Sequence, residues 1–200
     1  MDFIGEVRHR RIAAALVGAT ALCLPSCAVA EDSAGAGVSE TIEAGVSSSS
    51  AEAGIDPFDN ADREMKTLRP PEPSQLMVTD VRIGSHAGFD RVVFDLIGEG
   101  EPGWFIDYTD APSQQGSGRG VTFTGDIALN VNIDGTVYPF ELGEEDPELG
   151  TIPGSGNVTE VYSLGTFEGR SQFVIGLNTP VPYSVQVLDN PQRLVIDLVQ

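Results

Sequence analysis

Cysteine is nearly absent from this 200-residue chain, and the 2 present, Cys23 and Cys27, both fall close to the N-terminus. No disulfide can brace the rest of the chain, and thiol chemistry is excluded from it. Lysine occurs once, as Lys66, against 30 Asp and Glu and a formal charge of −19. From Leu76 onward 18 Asp and Glu face 5 Arg, a net −13. Such a surface repels nucleic acid and anionic lipid headgroups, which require clustered Lys and Arg. Beyond the N-terminal segment the only histidine is His86. One imidazole is too few for a zinc site. Its neighbour Ser85 lies in Gly-Ser-His-Ala-Gly, which is not the Gly-x-Ser-x-Gly of a hydrolase nucleophile. The sequence thus argues against catalysis, a hydrolase included, and calls for no cofactor.

What is present begins with an export signal. Arg8, Arg10 and Arg11 precede an apolar run of 13 residues, Ile12–Leu24, which is too short to span a bilayer comfortably. Leu24-Pro25-Ser26-Cys27 resembles a bacterial lipobox, with residues 1–26 removed and Cys27 lipidated. The alternative is cleavage after Ala28-Val29-Ala30 and free secretion. Residues 27–75 read as a disordered tether: 31–56 are mostly Ala, Gly, Ser, Glu and Val, Asp59–Leu68 has room for a helical turn or two, and Pro70, Pro71 and Pro73 stiffen the approach to the domain. About 45 flexible residues have an r.m.s. span of roughly 35–40 Å, enough to hold a domain off a membrane.

From Leu76 the hydrophobic period becomes two. Leu76, Val78 and Asp80 alternate with Met77, Thr79 and Val81, and a Gly84–Gly88 turn leads into Phe89–Ile97. Further strands are predicted over 104–109, 121–124, 127–133, 158–166, 171–177, 183–188 and 193–199. Thr136–Phe140 is predicted to pair with 127–133 as a hairpin across Asp134-Gly135. Glu144–Gly156 reads as an acidic, solvated loop. Eight or nine short strands without a helix imply an all-β domain over 76–200, an antiparallel β-sandwich. An internal echo supports two similar sheets related by a pseudo-twofold. Val78-Thr79-Asp80-Val81 is repeated, about 80 residues on, as Val158-Thr159-Glu160-Val161.

Asn130 to Glu141 has the spacing of a calcium loop, but Ile127, Leu129, Val131 and Ile133 alternate straight through it as a strand, so no metal is expected. The more telling motif occurs twice, as Arg91-Val-Val-Phe-Asp-Leu96 and Arg193-Leu-Val-Ile-Asp-Leu198. In a strand, Arg91 and Asp95 share one face while Val92, Phe94 and Leu96 share the other, and Arg193 and Asp197 are placed likewise. Arg and Asp four apart are roughly 13 Å from each other, too far for a salt bridge within one strand. Each must pair with a neighbouring strand or point at a ligand.

These stretches, with Val78-Thr-Asp-Val-Arg82 and Val187-Leu-Asp-Asn-Pro-Gln192, resemble the AMIN domain, and in particular the longer AMIN-like variety of exported bacterial lipoproteins. Residues 110–156 depart from it as an insertion. The resemblance implies a β-sandwich that is a non-catalytic binding or targeting module for peptidoglycan in the cell wall. The candidate ligand-binding residues are then Arg91, Asp95, Arg193 and Asp197, with Trp104 and Tyr108 (and Tyr138) available to stack on sugar rings. The chain is expected to be a monomer at the cell membrane, lipid-anchored and facing the wall. The alternative partner is another envelope protein, met through a strand edge or the acidic 144–150 loop.

Overall fold

The computed structural model describes residues 56–200. The stretches read as signal and cleavage site, with Cys27, lie outside the described residues, as does the predicted tether up to residue 55. Ten strands alternate along the described chain: β1 (Lys66–Leu68), β2 (Gln75–His86), β3 (Phe89–Glu99), β4 (Gly103–Thr109), β5 (Ile127–Asp134), β6 (Thr151–Pro153), β7 (Val158–Phe167), β8 (Arg170–Leu177), β9 (Tyr183–Leu188) and β10 (Arg193–Val199). Among the described residues no helix is long and apolar enough to cross a membrane.

The strands form two antiparallel sheets, ordered β2-β3-β10-β9 and β1-β4-β5-β8-β7-β6. Their facing sides are apolar because alternate residues of each strand point inward. Val92, Phe94 and Leu96 of β3 and Leu194, Ile196 and Leu198 of β10 meet Leu129, Val131 and Ile133 of β5 and Phe173, Ile175 and Leu177 of β8 in one core. Phe94 and Phe173 touch across the gap, with ring centroids 4.8 Å apart. Removing each such ring from water contributes about 1.5–3 kcal/mol.

The echo in sequence is an echo in topology. Exchanging β2, β3, β4 and β5 for β7, β8, β9 and β10 turns the order β2-β3-β10-β9 into β7-β8-β5-β4, the inner four strands of the larger sheet. Each half contributes one hairpin to each sheet, so neither half can close its core alone. The repeated tetrapeptide even carries the same irregularity. The register of β2 on β3 shifts between Val78 and Asp80, and that of β7 on β8 between Val158 and Glu160. A bulge reverses the inside–outside alternation. Val78 and Val81, three apart, are therefore both buried, as are Val158 and Val161. Asp80 consequently leaves the face that simple alternation with Leu76 and Val78 assigned to it.

Four local expectations are corrected. Asp134-Gly135 does not make a hairpin with Thr136–Phe140. Both edges of β5 are already occupied, by β4 and β8, so no partner position is open there. Thr136 instead bridges Leu76, and Pro139–Glu141 forms a single 3-10 turn. Val121–Thr124 is not a strand; the segment is held by a bridge between Ser113 and Gly120 and by Val121 N donating to the Pro112 carbonyl at 2.8 Å. Thr151–Pro153, inside the stretch read as loop, adds β6 beside β7. Asp59–Leu68, read as tether with a helical turn, instead carries β1 on the edge of β4.

That last segment is fastened by one side chain. Tyr183 is fully buried, and its hydroxyl is 2.9 Å from both the Glu64 and the Ile106 carbonyl oxygens, the two ends of the clasp. Asp62 bridges the Tyr183 backbone, and the Lys66 ammonium lies 5.1 Å from the ring centroid while bonding Asp62 at 2.8 Å. A second fastening lies at the same end of the four-stranded sheet, where Asp90 shares a cross-strand row with Leu198 and Tyr183. The Asp90 Oδ2 accepts from Asn157 N at 2.7 Å and from Gln200 Nε2 at 2.6 Å. Gly156 stands there with φ +65, and a Cβ would overlap the Asp90 carboxylate, so both its backbone and its space require glycine.

Candidate functional site

The repeated Arg-x-Val-x-Asp motifs lie side by side. Strands β3 and β10 are antiparallel neighbours, and their register sets Arg91 opposite Asp197 and Asp95 opposite Arg193. Two copies of one motif, run in opposite directions, thus bring each Arg to the other's Asp. On the outer face the cross-strand rows, from β2 to β9, read Asp80–Asp95–Arg193–Leu188, then Arg82–Val93–Val195–Gln186, then Gly84–Arg91–Asp197–Ser184.

The two crossed pairs are used differently. Arg91 donates to Asp197 through Nε at 2.6 Å and Nη2 at 2.9 Å, a two-pronged pair. Gln186 Nε2 adds a third bond to Asp197 at 3.0 Å. The Asp197 side chain is 0% exposed and that of Arg91 10%. A charge so withdrawn from water persists only because it is paired and hydrogen-bonded. In the other pair Asp95 is taken by a residue outside both motifs. Arg82, carried onto this face by the bulge in β2, donates to Asp95 through Nε at 2.9 Å and Nη2 at 2.7 Å. That carboxylate holds the Arg82 pKa above its ordinary value. Arg193 is left with the Pro191 carbonyl, which its Nε reaches at 3.0 Å, and makes no ion pair among the described residues.

Arg82, Arg91 and Arg193 line one groove of about 260 Å³, together with Gly84, His86, Val93, Leu188 and Val195. Three of the five arginines of residues 76–200 therefore face one shallow surface of a strongly acidic chain. His86, expected in an open turn, ends β2 and stacks on Phe89 at 4.9 Å. The groove offers guanidinium donors above a floor of valines, suited to a polar ligand bearing carboxylate or carbonyl oxygens.

Trp104 and Tyr108 do not join it. Both are on β4 in the other sheet, on the same face as the fully buried Ile106, and both pack against the core. The Tyr108 hydroxyl donates to the Val181 carbonyl at 2.7 Å and accepts from Val181 N at 3.2 Å, and burial raises its pKa. These rings are committed to packing, so neither offers a stacking platform beside the arginines. Tyr138 is exposed in the segment between β5 and β6, where it stacks on Phe140; the stretch 110–156, read as an insertion, contains β5, a central strand of the larger sheet. The residue that sequence reasoning passed over is Arg82. Its signal was the pair of valines three apart, which a continuous strand cannot bury together.

Among the described residues no group of three or more His, Cys, Asp and Glu is placed to hold a metal ion. Asn130–Asp134, the start of the calcium-like spacing, lies in β5, with Asn130 bonded to Asp107 at 3.1 Å and Asp134 to Arg170 at 2.6 Å. Comparison with curated proteins finds no match, and comparison with solved structures finds none either. The family model of the AMIN-like domain matches residues 76–200, the stretch that holds both motifs and both halves of the sandwich, and the chain belongs to the AMIN-like domain family.

Proposed function

We propose that this chain is a non-catalytic module of the cell envelope that binds peptidoglycan through the outer face of the four-stranded sheet. Family membership supports the envelope role. The observation that carries the ligand reading is the arginine-lined groove on a domain of net −13. Within it Arg193 is the cation not matched to a carboxylate among the described residues, while Arg91 and Arg82 are held by Asp197 and Asp95. Such a surface favours carboxylate and amide oxygens of a cross-linked glycopeptide. Because the surrounding domain is acidic, recognition rests on local hydrogen bonds rather than long-range attraction, and its salt dependence is shallow.

Retention on purified cell walls over a salt series tests this. The wild-type chain is expected to sediment with walls at low and high salt, and Arg193→Ala to lose most of that retention with its unfolding midpoint unchanged. Absence of wild-type retention at every salt concentration would rule the reading out. Arg193 is the variant of choice because Arg91→Ala removes a buried ion pair as well as a donor.

The tether reading belongs to the same proposal: export, lipidation at Cys27 and a domain facing the wall. Metabolic labelling with a lipid precursor is expected to mark the wild type and not Cys27→Ala, which is then released from the membrane fraction. Equal labelling of both would remove the anchor at Cys27.

A further inference from the structure

A second cleft lies away from the arginine groove. It has a volume of about 280 Å³ and is covered by the segment between β5 and β6, with Tyr138, Pro139, Asp146, Pro147 and Leu149 facing Ser163 and Thr166 over a floor that includes Val78 and Phe173. This is smaller than the usual small-molecule site of about 300–1,000 Å³ and suits a single long side chain.

Three features fix the chemistry of that side chain. The floor is apolar: Val78 and Phe173 are buried core residues. One wall is aromatic: Tyr138 lines the cleft and is 38% exposed. Its ring is backed by that of Phe140, parallel within 8° and 5.5 Å away, which lies outside the cleft. An exposed π-face attracts a cation. The surroundings are acidic, and Arg170, next to Ser171 of the cleft, is taken up by Asp134 at 2.6 Å. Asp146 lines the cleft, Glu144, Glu145 and Glu148 flank it in sequence, and between Arg119 and Arg170 the chain has nine Asp and Glu and no Lys, Arg or His. Asp146 Oδ1 accepts from Glu148 N at 2.9 Å, and among the described residues its other oxygen has no donor.

We infer that this cleft is a docking site for an arginine side chain presented by a partner protein. Arginine fits each feature: its alkyl stem lies on the apolar floor, its flat guanidinium stacks on an aromatic face, and its N–H groups donate to Asp146. Lysine satisfies the charge but not the stacking. The inference is independent of wall binding, since it uses the opposite charge and a different surface.

The test is an NMR titration of the ¹⁵N-labelled chain with N-acetyl-arginine amide. N-acetyl-citrulline amide, of nearly the same shape but uncharged, is the control. The arginine probe is expected to shift the amides of Tyr138, Asp146, Leu149 and Thr166, while citrulline leaves them in place. Asp146→Asn combined with Glu145→Gln is expected to weaken binding about two- to fivefold, the range of a solvent-exposed ion pair. Tyr138→Ala, which removes the ring that lines the cleft at a partly exposed position, weakens it as well. Equal shifts with citrulline, shifts scattered over the other acidic surfaces, or no shifts at all would each overturn the assignment.

Discussion

Asp197→Ala is expected to lower the unfolding free energy by about 3–5 kcal/mol, the range for removing one partner of a buried ion pair. The substitution takes from the Arg91 guanidinium its two-pronged carboxylate, in a site withdrawn from water, and strips Gln186 Nε2 of the same acceptor. The cost comes mostly from the loss of that buried charge partner. It follows that Arg91→Ala/Asp197→Ala together should cost clearly less than the sum of the two single changes. Denaturant titration of the four proteins of the cycle measures this. Additive effects would show that the pair is not coupled, and a cost below about 1 kcal/mol for the single change would show that water reaches it. The result also bears on function. A side chain so tied into the sheet is part of the scaffold of the groove, and Arg193 is the part that can respond to a ligand.

Tyr183→Ala is expected to be as damaging, at about 3–5 kcal/mol for a fully buried aromatic. It also frees β1, because the hydroxyl is the link between the Glu64 and Ile106 carbonyls. Tyr183→Phe separates the two contributions: it keeps the ring in the core and should cost about 1–3 kcal/mol for the lost hydroxyl hydrogen bond. The pH dependence supplies an independent check. Burial, the dominant cause, raises the Tyr183 pKa well above that of a free phenol. A raised pKa means that the folded state keeps the proton when the unfolded chain has released it. The resulting contribution is fully present below about pH 10, the unfolded value, and is lost as pH rises from there toward the folded pKa. Wild-type stability should therefore fall steeply in alkali, and Tyr183→Phe should flatten that fall. Tyr108, shifted in the same direction by burial, contributes the remainder. An unchanged alkaline profile in Tyr183→Phe would assign the loss to other groups.

The strands legible in sequence were those with strict alternation or continuous apolar runs. Phe89–Ile97, Tyr183–Leu188 and Arg193–Val199 all lie within or coincide with β3, β9 and β10. The short strands β1 and β6 were not legible. Three residues carry no period, and each exists because an edge of the larger sheet was open to it. The Asp134-Gly135 hairpin failed for the converse reason: turn chemistry was right for a hairpin, but no edge of β5 was free. Sequence signals are local, whereas edge availability is set by strands far away in the chain.

The candidate site divides along the same line. Composition and alternation by themselves determined that the chain is an acidic all-β module without thiol chemistry in its domain. They also determined that Arg91 and Asp95 share one face of their strand and Arg193 and Asp197 one face of theirs, each opposite an apolar face, because alternation along a strand is a property of the strand alone. Only the tertiary structure decided which Arg meets which Asp, since that is fixed by the antiparallel register of β3 on β10. It alone set Trp104 and Tyr108 into the other sheet. The bulge at Thr79 likewise brought Arg82 to Asp95, leaving Arg193 as the cation without a carboxylate. Pairing across strands is chosen by the packing of two intertwined halves, and no single segment contains that information.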